Sequence, residues 1–130
     1  QYRDHYEDLH SLLFLQVNGE IKFLDDNLPA GGTWINNITG WVNSGSANTP
    51  IQVQGTILEK NASVTLSTGL NLSNVIKVRL LYFDVSVPGS PNIVYAEERW
   101  YALGIGLIYY SSSDPFGPCL TYSLKRYQLY

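Results

Sequence analysis

The groups in this chain with chemistry to offer are its carboxylates, two histidines, one cysteine and a large set of aromatic rings. Glu97-Glu98 is the most informative pair. Adjacent side chains of an extended strand leave on opposite faces. Glu97 therefore shares a face with Tyr95, Arg99 and Tyr101, and Glu98 shares the other with Val94, Ala96 and Trp100. If residues 73–83 form the neighbouring strand, Glu97 meets Lys77 or Arg79 across the sheet, a pairing worth ~0.2–1 kcal/mol and structural in purpose. Glu98, beside Trp100 on an apolar face, is the odd one. A buried carboxylate must find hydrogen bonds or take up a proton, and groups so placed belong to functional sites more often than average. The plainer reading is an edge position with access to water.

The other polar candidates are weaker. Asp25-Asp26 could hold Ca²⁺ with loop carbonyls, but the D-x-D-x-D-G spacing is missing and a solvated turn explains the pair. His5 and His10 stand among Asp4, Glu7 and Asp8. Their spacing suits neither the i, i+4 of a metal-binding helix nor the i, i+2 of a strand. Cys119 follows Pro118 and would need a histidine base to act as a nucleophile; a small buried apolar side chain is the simpler role. A glycosidase needs two carboxyls facing each other ~5–9 Å apart. Adjacent strand residues cannot do this, and Glu20, Glu59, Asp84 and Asp114 all fall at turns or strand ends. A hydrolase would have to combine Glu98 with one of those turn carboxylates. The sequence assigns no catalytic residue, no metal ligand and no cofactor, and the chain reads as a non-enzyme.

Rings carry the remaining signal. Trp34, Trp41 and Trp100, with Tyr109, Tyr110, Tyr122 and Tyr127, belong first to a sheet core. Otherwise they form a sugar-stacking platform or line an apolar pocket. The binding candidates are thus Glu98, Trp100, Trp34, Trp41, Tyr109 and Tyr122.

Strands must position these groups. Residues 51–60 (IQVQGTILEK) alternate, with Ile51, Val53 and Ile57 on one side and Gln52, Gln54 and Thr56 on the other. That period of two marks a strand with one wet face. In 73–83 (SNVIKVRLLYF), Ile76, Val78, Leu80 and Tyr82 share a face opposite Lys77 and Arg79. Residues 93–103 form its partner strand, and Gly104-Ile105-Gly106 predicts a bulge or bend before a further strand over 107–110. Residues 11–17 and 20–24 flank Asn18-Gly19, a strong two-residue hairpin signal. Further strands are expected over 33–42, 62–66 and 119–127, where Leu120, Tyr122 and Leu124 alternate with Thr121, Ser123 and Lys125. About eight short strands, with no convincing helical period, predict an all-β antiparallel fold: a curved sheet, a half-barrel or a β-sandwich. Residues 1–10 read as a mobile or edge segment and 11–130 as one domain.

The bulk numbers agree. The chain has 130 residues, 45% of them hydrophobic and only 15% charged, with ten tyrosines, which suits one sheet-rich domain with a real core. The net charge of −3 comes with scattered Lys and Arg and leaves no footprint for nucleic acid. No apolar run reaches the ~18 residues of a membrane-spanning helix. With a single cysteine, no disulfide can form within the chain. A chain that starts at Gln1 and holds no methionine reads as a processed product or a fragment.

Four segments in order, 28–34 (LPAGGTW), 57–64 (ILEKNASV), 74–78 (NVIKV) and 100–108 (WYALGIGLI), precede a closing strand at 120–127. This order resembles the C-terminal part of secreted lipoproteins of Bacteroidetes-type bacteria, a family of unassigned function with an LP.G..W turn, an NVI.V strand and a YA.G.GL strand. The resemblance implies an exported cell-envelope protein (periplasmic, at the outer-membrane surface or extracellular) on an antiparallel, half-barrel-like sheet. It also implies an earlier, similar half before this region, and it brings no catalytic residues. Three expectations follow. The first is a non-enzymatic binding or structural module, with an apolar small molecule or a glycan as partner. The second is a carrier of an apolar ligand in a concave face. The third and weakest is a carbohydrate-binding module or hydrolase. An open edge strand would also invite self-association.

Overall fold

The computed structural model describes residues 6–11, 15–42, 48–115 and 117–124, with side chains from Glu20 onward. Eight strands follow one another: β1 (Tyr6–Ser11), β2 (Leu15–Lys22), β3 (Thr33–Val42), β4 (Thr49–Thr65), β5 (Asn71–Asp84), β6 (Asn92–Ala102), β7 (Gly106–Asp114) and β8 (Gly117–Ser123). They form one antiparallel sheet in sequence order, with β1 and β8 at its edges. The fold is all-β, and no helix occurs among the described residues.

One face of the sheet, here the inner face, is built by the predicted alternation. Ile51, Val53 and Ile57 of β4 stand opposite Asp84, Tyr82 and Val78 of β5. Ile76, Val78, Leu80 and Tyr82 are all fully buried, as their spacing requires. Each such side chain contributes roughly 1.5–3 kcal/mol by leaving water. After β2 the chain crosses this face and inserts Phe23 and Leu24, both fully buried, with Leu28 packed beside them. The centre of the inner face is thus occupied by the protein's own side chains, and an apolar ligand would have to displace them.

The loop that follows is stitched to β4. Gly31 N–H donates to Ile57 O (2.8 Å), and Ile57 N–H donates to Gly32 O (2.9 Å). Gly31 takes φ +86°, a conformation that side chains rarely adopt. Trp34, three residues on, lays its ring on Gly55 of β4, its register partner.

A second core lies on the opposite face. Ala62, Leu66, Leu72, Val75, Ala102 and Ile108 cluster there, with Trp100 and Tyr109 packed against them. Three adjacent pairs, Val75/Ile76, Tyr101/Ala102 and Leu107/Ile108, send one member into each cluster. At this end of the sheet, β5, β6 and β7 are therefore apolar on both faces. The β4–β5 hairpin makes the switch through register shifts between Ile57 and Val64, with Asn61 inside that stretch of β4 and Asn74 on β5, each at φ +55°. Asparagine is the side chain that tolerates this region best after glycine.

Four sequence expectations are corrected. Asn18-Gly19 is not a hairpin turn, because β2 runs straight through it and pairs with both β1 and β3. The dipeptide sits where the register shifts from Leu9↔Asn18 to Glu7↔Ile21, so its backbone freedom serves a bulge instead. Gly104-Ile105-Gly106 is the reverse: it makes the tight hairpin between β6 and β7, with Gly104 at φ +77°. The strands expected at 51–60 and 62–66 are one bent strand, β4. In β8, Leu120 and Tyr122 alternate as expected but stay 58% and 45% exposed, because no strand lies beyond this edge among the described residues. Pro118, and the unpaired Cys119 in the register shift between Ser113↔Pro118 and Ser112↔Leu120, blunt that edge against further pairing.

Candidate functional site

Register assembles a polar surface on the outer face, beyond the second core. Thr56, Arg79, Glu98, Ser111 and Thr121 lie side by side on β4 to β8 in one row. The next row runs Gln54, Leu81, Ala96 and Ser113, ending at Pro118. Small residues on the middle strands leave a hollow between larger neighbours. The result is an open groove of about 360 Å³ lined by Arg79, Ala96, Glu98, Ser111, Ser113 and Thr121 among others.

On one side the groove is bounded by the row Lys77, Trp100, Tyr109 and Ser123. Lys77 Nζ lies 4.4 Å from the centre of the Trp100 ring, and the Tyr109 ring lies 4.3 Å away at 34°. These neighbours stand on the two strands flanking β6, so both faces of the indole are covered. Its Nε1–H donates to Glu98 Oε2 at 2.6 Å, and Lys77 Nζ reaches Glu59 Oε1 at 3.2 Å. Trp100 is thus a wall that orients Glu98, not a flat platform for a sugar ring. No ion pair joins Arg79 to Glu98 among the described residues, although they are register partners. The exposed guanidinium keeps its donors, and Glu98 keeps acceptor capacity toward the groove.

The face assignment of the two glutamates corrects the sequence reading. Glu97 does not meet Lys77 or Arg79; it stands opposite Leu80 on the inner face, while Glu98 stands opposite Arg79. Parity holds from Tyr95 to Tyr101, but Val94, expected on the Glu98 face, joins the inner core beside Tyr95, because the register shifts there. The register of β6 against β5 carries no local signal, and a one-residue slip exchanges the faces. Glu97 Oε1 accepts from Arg99 Nη2 (2.9 Å), and Oε2 accepts from the Tyr82 hydroxyl (2.5 Å). The Arg99 guanidinium also lies 3.7 Å from the Phe23 ring centre and 4.9 Å from that of Tyr110. Tyr95 and Tyr110 share a hydroxyl hydrogen bond of 2.8 Å. Burial, reinforced by the Glu97 charge, pushes the Tyr82, Tyr95 and Tyr110 hydroxyls above the usual tyrosine range. Burial pulls on Arg99 in the opposite sense, yet the charge of Glu97 wins and holds its pKa above the usual value. With both oxygens of Glu97 engaged, this cluster is a lock between sheet and loop.

The remaining candidates scatter. Glu98, Trp100 and Tyr109 come together at the groove. Trp34 lies on the inner face, its Nε1–H donating to Lys22 O at 2.8 Å. Trp41 sits on β3, paired with Gln16 and 43% exposed, three strands from Glu98. Tyr122 is the register partner of Tyr110 and faces away from the groove. Asp25 accepts from Lys22 Nζ (3.1 Å) and from Asn27 N–H (3.2 Å), which makes it a turn residue. Cys119 is exposed rather than buried, since it occupies the edge bulge; partial loss of water around Sγ and the Asp114 carboxylate 3.4 Å away raise its pKa. His5 and Tyr127, and the side chain of His10, lie outside the described residues. Among the described residues no group of three His, Cys, Asp or Glu could hold a metal ion. Arg79, Ser111, Ser113 and Thr121 were missed, because only cross-strand register reveals them as neighbours.

Comparison with protein-family models, with curated proteins and with solved structures finds no match for this chain.

Proposed function

We propose that the chain is a non-enzymatic binding module of an exported cell-envelope protein, and that it binds a neutral glycan on the outer face of its sheet. The observation that carries this reading is the groove where Arg79 and Glu98 stand in register without pairing, above the hydroxyls of Ser111, Ser113 and Thr121. One guanidinium and one carboxylate sum to zero charge, so the groove favours neither anion nor cation. Together they offer several donors and several acceptors at close quarters, which matches the vicinal hydroxyls of a sugar. The opposite face supports the same choice of side, since Phe23, Leu24 and the four apolar residues of β5 already occupy it. Within the groove Glu98 is the acid turned to the opening, while the carboxylate of Glu97 is held by Arg99 and Tyr82. The order of the LPAGGTW, NVIKV and WYALGIGLI segments supports an exported setting.

Native electrophoresis through gels containing xyloglucan, hydroxyethylcellulose or alginate tests the reading. Retardation by a neutral polymer is expected, with loss of that retardation in Arg79→Ala and in Glu98→Ala. Retardation by alginate alone, or by no polymer, overturns it. Cell fractionation of the tagged gene product tests the compartment: accumulation in the cytosol contradicts an exported role.

A further inference from the structure

A second groove lies on the same face. It measures about 260 Å³ and is lined by Gln52, Gln54, Phe83, Val85, Val87 and Pro88 among others. Gln54 Nε2–H donates to Gln52 Oε1 at 3.1 Å. That bond fixes both amides and turns the free amide group of each away from the other. The Gln52 amino group and the Gln54 carbonyl oxygen are left to donate and accept beside the half-buried Phe83 ring and the exposed Val87. Fixed amides next to an apolar surface suit a sugar, which presents hydroxyls at its rim and C–H groups on its faces.

The two grooves share a row of the sheet. Gln54 belongs to the second, Ala96 and Ser113 belong to the first, and Leu81 lies between Gln54 and Ala96 in register. We infer that the two grooves form one track across β4 to β8, and that it takes an extended neutral oligosaccharide rather than a mono- or disaccharide. Four strand spacings make the track roughly 19 Å long, so it holds a chain of several pyranose rings. The inference rests on the glycan reading of the Arg79 groove and adds the second subsite and the chain length. Neither groove carries a net charge, since amides supply the polar groups of the second, so the same neutral ligand fits both.

Titration calorimetry with cello-, malto- and xylo-oligosaccharides of increasing length, from disaccharide to hexasaccharide, separates the two claims. In the series that binds, affinity should rise by about tenfold or more from the disaccharide to the pentasaccharide. Gln52→Ala/Gln54→Ala should abolish that rise while leaving disaccharide affinity unchanged. Arg79→Ala should weaken every length. Circular dichroism of each variant confirms that these surface substitutions leave the fold intact. A flat length dependence, or a rise that survives in the glutamine variant, overturns the track and leaves the first groove standing. No binding by any series at any length overturns both.

Discussion

Glu97 and Arg99 stand two residues apart on β6 and turn to the same buried face, where Oε1 and Nη2 meet at 2.9 Å. Both side chains are almost completely removed from water. The pair is the one place where charge enters the inner core of the described residues, and it recruits Tyr82 from β5 and Phe23 from the covering loop. A buried ion pair is weak evidence of net stabilisation, but removing one partner is expensive.

Glu97→Leu should therefore destabilise the protein by about 3–5 kcal/mol, because Arg99 is left charged and unpaired in the core. Urea denaturation gives the number. Glu97→Leu/Arg99→Met removes both charges and should recover most of the loss. Tyr82→Phe removes one hydrogen bond to a charged acceptor and should cost only about 1.5–3 kcal/mol. A Glu97→Leu protein as stable as the parent would mean that the pair is hydrated and that Phe23 does not seal it.

The raised hydroxyls of Tyr82, Tyr95 and Tyr110 set the alkaline limit. An unfolded tyrosine titrates near pH 10. Below that pH both states hold the phenolic protons, and the contribution of these groups is fully present. Above it the unfolded chain releases protons that the native state keeps, so unfolding gains ground as pH rises. Each proton that the native state retains costs about 1.4 kcal/mol per pH unit for as long as it is retained. Urea midpoints should hold steady to about pH 10 and then fall steeply. Midpoints that stay level as the pH rises past 10 would place these rings in water, where native and unfolded tyrosines titrate alike.

The sequence reaches some features and not others for one physical reason. Alternation is local, so the burial of Ile76, Val78, Leu80 and Tyr82 could be read from β5 alone. Register is a relation between strands, and nothing in residues 93–103 states whether Glu97 or Glu98 lies over Leu80. Asn18-Gly19 shows the same limit: the dipeptide announces unusual backbone, and only pairing on both sides of β2 decides between a turn and a bulge. Parity alone puts Trp100 beside Glu98, but its cover by Lys77 and Tyr109 comes from strands on either side. The groove residues Arg79, Ser111 and Thr121 fall in the same class, with no local signal to mark them.

Gly55 carries the Trp34 ring. A Cβ at Gly55 would stand far inside contact distance of Trp34 Cε2. Gly55→Ala should push the indole off β4, break its hydrogen bond to Lys22 O and cost about 1–3 kcal/mol. Trp34 emission should shift to the red. The combination Gly55→Ala/Trp34→Ala should cost less than the sum of the single changes, because the clash is absent once the ring is gone. Strict additivity would show that the ring does not rest on the glycine.

Val75 and Ile76 test whether the sheet is apolar on both sides. In a strand with one wet face, truncating two successive residues harms one and spares the other, since one of them points to water. Here Val75 lies in the outer cluster between its register partners Ala62 and Ala102, Ile76 lies in the inner cluster opposite Tyr101, and neither is exposed. Val75→Ala and Ile76→Ala should each cost about 2–4 kcal/mol, through lost transfer energy and the cavity left behind. Leu120→Ala, on the open edge at β8, should fall within about 0.5 kcal/mol of the parent. Guanidinium midpoints for the three variants decide the matter. A harmless Val75→Ala would remove the second core, and with it the support that holds Trp100, covered by Tyr109, beside Glu98 as the wall of the groove.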